Sequence, residues 1–259
     1  MRGGFISNLL TFNTKMEIKS IQNIIKKEKN SEKQKMLQSV YYNNLGYAKS
    51  PEQQDAFKRI IEAMQIIDRK FFVSKDEIFC YSDEPLSIGY GQPISQPTTV
   101  ARMLLLSRLK PKLDVLEVGA GSGWNAALTA YIIKPGKVIT AERIKPLQEN
   151  AKNNFNKFTK NKKIKLNAEF IFADALDEKS KIWKRKYDRI IITAGVGLDT
   201  IKQMPVMGEK LLKENGMLLY PTNEFGSYGA LELWQKRKGK LQKIYREEGY
   251  SFVPLLKGK

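Results

Sequence analysis

The sequence contains no histidine and a single cysteine, Cys80, among its 259 residues. Without histidine, the chain has no Ser-His-Asp or Cys-His nucleophile system and no histidine-ligated metal. One cysteine excludes a disulfide framework and a cysteine-cluster zinc site. The sequence also lacks an apolar run close to the roughly 20 residues that a membrane-spanning helix requires. We therefore expect no metal centre and no contact with membranes.

Length and composition indicate an ordinary globular protein. Hydrophobic residues make up 42% of the chain and charged residues 28%, which excludes disorder of the whole chain. The apolar stretch at residues 1–10 is too short to predict a signal peptide. A protein without a signal peptide and with one cysteine is expected in the cytoplasm.

The formal net charge of the chain is +18. The excess is spread along the sequence, with one denser group of lysines within residues 157–165. A basic surface of this kind is compatible with nucleic-acid binding. Lysine faces that only contact solvent are the simpler interpretation and the one we prefer, but the sequence leaves both open.

The first 50 residues differ in pattern from the rest. Ile18, Ile21 and Ile25 recur at helical spacing and predict an amphipathic helix that packs on the remainder of the protein, followed by a polar connection. A second helix is predicted over residues 51–68, with Ser50 as its N-cap. We therefore divide the chain into an N-terminal helical extension, residues 1–50, and a main domain, residues 51–259.

From about residue 98 onward, predicted helices and short apolar strands alternate. The predicted strands cover residues 113–118, 137–141, 170–173, 189–193 and 217–220, and the predicted helices cover residues 98–109, 124–133, 146–158 and 204–213. A hairpin over residues 231–245 predicts an antiparallel edge. This alternation predicts an α/β fold, with a doubly wound, mostly parallel sheet and helices on both faces.

A glycine loop follows the first of these strands and is the strongest local signal for a ligand. The loop contains Gly119, Gly121 and Gly123, and the strand before it carries Glu117. Such loops let the main chain approach a ligand closely and direct free N–H groups at it. Trp124 stands where a dinucleotide-binding motif needs its last glycine, and no Gly-Lys-Ser/Thr follows, so NAD and phosphate-loop sites are disfavoured.

Two acidic residues complete a predicted nucleoside site. Glu142 ends the next strand, where a carboxylate accepts hydrogen bonds from both hydroxyls of a ribose. Asp174 follows the third strand, where a carboxylate accepts from an adenine amino group. A nucleoside bound without a phosphate loop indicates S-adenosylmethionine, and the arrangement resembles that of class I methyltransferases with a Rossmann-like fold.

The segment over residues 81–97 narrows the class. It reads Tyr-Ser-Asp-Glu-Pro-Leu-Ser-Ile-Gly-Tyr-Gly-Gln-Pro-Ile-Ser-Gln-Pro and resembles the signature of protein-L-isoaspartate O-methyltransferases. The residues that match this signature are Asp83, Pro85, Leu86, Ile88, Gly89, Ile94, Ser95 and Pro97. The resemblance continues to about residue 256. It implies transfer of a methyl group from S-adenosylmethionine to L-isoaspartyl residues of damaged proteins, with S-adenosylhomocysteine as product.

The resemblance also assigns roles to individual positions. Ser95 matches the active-site serine of the family, and Asp83 belongs to the same signature. The positions that it implies for the methyl donor are Ile94, Ser95, Glu117, Gly119, Gly121, Glu142, Arg143, Asp174 and Ala175. Residue patterns alone favour Ser95 as a loop serine that caps the helix beginning near Thr98, and the resemblance reverses that preference. Asp83 either supports the substrate loop or only caps it.

Departures from the family pattern leave the substrate range open, and the basic composition leaves an RNA substrate open. Pro93 replaces the usual threonine, Ala175 replaces a common glycine, and residues 193–196 differ from the usual alanine-rich run. The alternatives are an RNA methyltransferase, or a divergent relative that binds the donor without catalysis or serves a dedicated peptide. Residues 193–196 lack the Asn/Asp-Pro-Pro-Tyr/Phe motif that base methylation commonly uses, which disfavours RNA. The expected partner is an isoaspartyl peptide, and the expected state is a monomer.

Overall fold

The computed structural model describes residues 17–224 and 228–258. The apolar stretch at residues 1–10 and the rest of residues 1–16 therefore lie outside the described chain. Within the described ranges, no helix is both long enough and apolar enough to cross a membrane.

Within these ranges, two short strands form a hairpin and seven longer strands form one sheet. The strands are β1 (Leu86–Ser87), β2 (Pro93–Ile94), β3 (Asp114–Val118), β4 (Lys137–Glu142), β5 (Ala168–Phe172), β6 (Tyr187–Ile192), β7 (Leu212–Pro221), β8 (Tyr228–Arg237) and β9 (Lys240–Ser251). The order of the large sheet is β5-β4-β3-β6-β7-β8-β9. Strands β3 to β7 are parallel, and β8 and β9 are antiparallel. The predicted sheet with an antiparallel edge is confirmed.

Helices cover both faces of this sheet. Residues 17–26 are helical (α1), and the later helices are α2 (Ser31–Asn44), α3 (Pro51–Ile66), α4 (Pro97–Leu106), α5 (Trp124–Ile132), α6 (Lys145–Lys162) and α7 (Gln203–Leu211). Side chains alternate along the parallel strands between two hydrophobic layers. Val115 and Ile191 belong to the layer that α1 to α6 cover, and Leu116 and Ile190 belong to the layer that α7 covers.

The N-terminal residues share the hydrophobic layer of the main sheet. Ile21 and Ile25 are buried in it, so the predicted amphipathic helix is confirmed as α1. The sequence reasoning missed α2, whose Met36, Leu37 and Val40 are buried in the same layer. Ser50 caps α3 as predicted, in a reciprocal capping arrangement with the residue three positions later.

One predicted element differs from the structure. The prediction that a helix spans residues 204–213 is wrong at its end, because α7 stops at Leu211 and β7 begins immediately. Leu212 already pairs with Tyr187, and a register shift follows. Asn215 has φ +63° and lies with Gly216 in a bulge of β7, so this Asn-Gly pair does not end the helix. The remaining predicted elements are present with boundaries shifted by a few residues.

Candidate functional site

A cavity opens at the edge of the sheet where strands β3 to β6 end. It holds about 1030 Å³ of space, part of it open to solvent. Its wall consists of residues 92–95, 118–122, 124–125, 141–144, 173–175, 193–194 and 253–256, together with Val100 and Met103 of α4. Parallel α/β sheets bind ligands in this position, outside the carboxyl ends of their strands.

The glycine loop forms the floor of this cavity. Gly119 has φ +97° and Gly121 has φ +51°, which is the region that side chains other than glycine rarely adopt. A Cβ atom at Gly119 would lie 2.4 Å from Thr193 Oγ1, so the position also lacks space for a side chain. The Thr193 hydroxyl donates to the main-chain oxygen of Gly119 at 2.8 Å and fixes the loop against β6. The loop therefore exposes main chain directly to the cavity.

Glu142 ends β4 beside this loop and is almost fully buried. Its Oε2 accepts a hydrogen bond from the Gly121 N–H at 3.1 Å, and its Oε1 accepts from the Ile144 N–H at 3.0 Å. A carboxylate offers about four acceptor positions, so two main-chain bonds leave capacity for a pair of hydroxyl donors. The carboxylate is held in place before any ligand arrives.

Asp174 follows β5 and is also buried. Its Oδ1 accepts from the Leu176 N–H at 2.8 Å, and its Oδ2 accepts from the Gly258 N–H at 2.7 Å. The main-chain oxygen of Gly258 in turn accepts from Arg143 Nε at 2.8 Å. The segment at residues 253–258 thus joins the ends of β4 and β5, a connection that the sequence pattern does not reveal.

Glu117 lies in β3 behind the cavity wall. Its Oε1 accepts a hydrogen bond from Asn125 Nδ2 at 2.7 Å, and Asn125 is the residue that lines the cavity at this point. Burial raises the pKa of Glu117 to about 7, and its Oε2 has no hydrogen-bond partner within the described chain. Sequence reasoning missed Asn125; a polar side chain at the second position of the helix after the glycine loop was the available signal.

The loop between α3 and α4 forms the opposite wall of the cavity. Strands β1 and β2 pair antiparallel, with Leu86 opposite Ile94. The turn between them consists of Gly89, Tyr90 and Gly91, all with positive φ, so the main chain itself shapes the hairpin. Ile94 and the half-buried Ser95 line the cavity directly after this turn.

The structure separates the two interpretations of Ser95 and Asp83. The N-cap of α4 is Gln96, and Asp83 Oδ1 accepts the hydrogen bond of the Thr98 N–H at 2.8 Å. Asp83 Oδ2 accepts from the hydroxyls of Ser39 and Thr98, at 2.6 and 2.5 Å. Asp83 therefore caps α4 and ties the loop to α2, and it does not line the cavity. Ser95 has no capping bond and is available to a ligand.

Most predicted positions meet around the cavity. Ile94, Ser95, Gly119, Gly121, Glu142, Arg143, Asp174 and Ala175 all line it, whereas Glu117 and Asp83 stand behind its walls. Among the described residues, no three acidic or cysteine side chains are grouped so as to hold a metal ion. The charged groups of the lining are two carboxylates and one guanidinium.

A comparison with protein families finds one match that covers most of the chain. The family model described as Protein-L-isoaspartate(D-aspartate) O-methyltransferase (PCMT) matches residues 42–259. Curated relatives carry the same description. The protein-L-isoaspartate O-methyltransferase of Pyrococcus horikoshii is 39% identical over 217 residues, and that of Methanopyrus kandleri is 37% identical over 217 residues. Each alignment covers 82% of this chain and 87% of the relative.

Solved structures give the same result. A chain from Plasmodium falciparum, described as a protein-L-isoaspartate O-methyltransferase in complex with S-adenosyl-L-homocysteine, superposes with a TM-score of 0.70 at 26% identity. The superposition covers 89% of the present chain and 100% of the other. A second structure with the same enzyme description superposes with a TM-score of 0.65 at 24% identity and supports the fold alone.

Proposed function

The chain belongs to the protein-L-isoaspartate O-methyltransferase family, and from that premise we propose that it methylates L-isoaspartyl residues in damaged proteins. The methyl group comes from S-adenosylmethionine, and the acceptor is the free carboxylate of the isoaspartyl residue. The resulting ester closes to a succinimide, and hydrolysis restores part of the normal aspartate. This is a repair reaction on protein substrates.

One observation carries the proposal: a single cavity joins the glycine loop, Glu142 and Asp174 on one side with Ser95 on the other. The first three suit a nucleoside, and Ser95 matches the active-site serine of the family. The cavity therefore has room for donor and acceptor side by side, as direct transfer between them requires.

The residues present fit S-adenosylmethionine. Gly119 and Gly121 line the cavity without side chains, which suits close contact between the main chain and a ligand. Glu142 keeps free acceptor capacity for the ribose hydroxyls, and Asp174 with Ala175 is proposed to hold the adenine. Ile94, Gly121 and Arg143 would complete the donor site. Glu117 would not contact the donor itself; it would hold the side chain of Asn125, which lines the cavity.

When bound, S-adenosylmethionine supplies a methyl group on a positively charged sulfur. The acceptor carboxylate is ionised at neutral pH, since its reference pKa is near 4. The chain therefore needs no general base, in agreement with a sequence that contains no histidine. The hydroxyl of Ser95 would donate a hydrogen bond to one carboxylate oxygen and leave the other free to attack. The hairpin of β1 and β2 would exclude water from that oxygen.

The test is Ser95→Ala, measured with an isoaspartyl peptide. We expect kcat to fall about 100-fold, because orientation of the acceptor is lost, while the Kd for S-adenosylhomocysteine stays within about twofold. Ser87→Ala is the matched control, since Ser87 lies on the same hairpin outside the cavity and should retain full activity. Full activity in Ser95→Ala would remove Ser95 from the mechanism.

The RNA alternative is favoured only by the basic composition of the chain. Exposed lysines do cover α6, but the cavity lining itself carries more carboxylates than cations, which does not suit a polyanion. Labelled S-adenosylmethionine offered with an isoaspartyl peptide, its aspartyl twin and bulk RNA separates the readings. Base-labile ester on the isoaspartyl peptide alone supports repair. Label retained in RNA nucleosides supports the alternative, and donor binding without transfer supports a non-catalytic relative.

The remaining expectations belong to the same proposal. We propose that residues 51–259 carry the catalytic domain, that residues 1–50 support it, and that the protein acts as a cytoplasmic monomer. The Ser39–Asp83 hydrogen bond is a direct link from the N-terminal part to the substrate loop. Sedimentation of the purified protein would check the oligomeric state.

A further inference from the structure

A buried arginine stands beneath the substrate loop. Arg69 lies in a short 3₁₀ turn, Arg69–Phe72, after α3 and is fully buried. Its guanidinium donates hydrogen bonds to four main-chain oxygens, those of Cys80 at 2.9 Å, Ser82 at 3.1 Å, Glu84 at 2.9 Å and Ser95 at 3.2 Å. One side chain therefore holds both ends of the β1–β2 hairpin.

Burying the charged guanidinium of Arg69 costs free energy of folding. Burial lowers the pKa of Arg69 to about 10, so the group still carries its charge at neutral pH. Its hydrogen bonds within the described chain go to main-chain oxygens, and its Nε has no partner there. A buried charge without a directly paired counter-charge is normally unfavourable; here the carbonyl dipoles compensate it, and the charges of Asp83 and Glu77 favour the charged form from a greater distance. A hydrophobic side chain would fill the same space without that cost.

Arg69 also contacts the donor side of the cavity. Its guanidinium carbon lies 5.4 Å from the centre of the Trp124 ring, within the range of a cation–π interaction. Trp124 begins the helix that follows the glycine loop and lines the cavity. The indole N–H of Trp124 donates to the Ile67 oxygen at 3.0 Å, two residues before Arg69. Arg69 thus contacts both the main chain of Ser95 and Trp124, the first residue of α5.

We propose that Arg69 is a positioning residue for methyl transfer, which holds the main chain of Ser95 at a fixed distance from the donor loop. The proposal rests on the function proposed above. It assigns no contact between Arg69 and substrate; the arginine acts through Ser95. A bidentate, planar donor suits this task because it fixes direction as well as distance, which a lysine ammonium does not.

The experiment compares Arg69→Lys with Arg189→Lys. Arg189 is also buried and donates to three main-chain oxygens, those of Ser107, Asp188 and Arg108. None of these partners lines the cavity, whereas Ser95, a partner of Arg69, does. We expect Arg69→Lys to lower kcat about 10- to 100-fold with the Kd for S-adenosylhomocysteine changed less than about threefold. Arg189→Lys should lose stability without losing kcat. An equal loss of kcat in both variants would overturn the proposal.

A double-mutant cycle with Ser95→Ala separates positioning from general damage. If Arg69 acts through Ser95, most of the loss of kcat caused by Arg69→Lys disappears in the Ser95→Ala background. Full additivity of the two losses would contradict the proposal. Should Arg69→Lys not fold, Arg69→Gln keeps an uncharged amide donor on a shorter side chain and gives the same readouts.

Amide hydrogen exchange provides a readout that does not depend on the substrate. With S-adenosylhomocysteine bound, Arg69→Lys should increase exchange over residues 80–96 and leave β3 and α5 unchanged. Unchanged exchange over residues 80–96 would overturn the positioning role even if the enzyme acts on another substrate. If exchange over residues 80–96 is faster in Arg69→Lys but the protein does not methylate isoaspartyl peptides, the result contradicts the proposed function and not the positioning role of Arg69.

Discussion

The two sides of the cavity are built in different ways. The donor side consists of strand ends and the residues that follow them, and Glu142 is held by main-chain N–H groups of its own neighbourhood. The acceptor side is a loop with little regular structure. The side chain of Arg69 holds its main chain, and Asp83 ties it to Ser39 in α2 and to Thr98 in α4. Donor binding therefore depends on the sheet, whereas acceptor geometry depends on a few long-range polar contacts.

The largest expected effect concerns the buried acid of the donor side. Because burial raises the pKa of Glu117 from 4.5 to about 7, the folded state binds its proton more tightly than the unfolded state. The resulting stability is complete below about pH 4.5 and is lost as the pH rises to about 7, amounting to about 3 kcal/mol. The free energy of unfolding of Glu117→Gln should not fall in this way between pH 4.5 and pH 7. The measurement is the free energy of unfolding of both proteins between pH 4 and 8 without ligand, and parallel pH curves would refute it.

The second effect tests whether donor affinity resides in the strand ends. Glu142→Ala should weaken S-adenosylhomocysteine binding by about 1–3 kcal/mol, because a carboxylate that accepts hydroxyl hydrogen bonds is lost. Titration calorimetry measures this directly. Glu149→Ala, an exposed position on α6, is the control and should bind normally. Equal affinity in the two variants would remove Glu142 from the donor site and break the comparison.

The smallest effect tests the acceptor side. Asp83→Asn weakens the charge-assisted hydrogen bonds from Ser39 and Thr98. We expect kcat to fall because the activation free energy rises by about 1 kcal/mol. Donor affinity should not change. Asp188→Asn is the matched control, since Asp188 also accepts a main-chain N–H, that of Asp114, away from the cavity lining. A change in donor affinity in Asp83→Asn would show that the two sides are not separable.

The same division decides what could be predicted from the sequence. The glycine loop, Glu142 and Asp174 follow short apolar strands, and parallel strands bring their ends to one edge, so local pattern was enough to bring them together. Asn125 was missed because a single polar residue in a helix carries no pattern of its own. Arg69 was missed because its partners are main-chain oxygens, which any residue supplies.

The N-terminal part shows another limit of pattern reasoning. The sequence predicts α1 and α3 from regular apolar spacing, but α2 interleaves lysines and glutamines with its buried side chains. Lys33 even lies buried in the fold, with its ammonium paired to Glu28 at 3.1 Å. Such a helix becomes recognisable only when its neighbours α3 and α4 are in place. The family resemblance, in contrast, identified Ser95 where residue patterns alone favoured a capping role.

The contact at Gly258 has a consequence for reading variant effects. Gly258 lies 84 residues from Asp174 along the chain, yet its main chain binds both Asp174 and Arg143. Its φ of +94° disfavours any side chain, although no atom lies within 4 Å of the Cβ position. In a saturation mutagenesis screen, substitutions at Gly258 should therefore score together with those in the nucleoside pocket and not with the solvent-exposed tail around it.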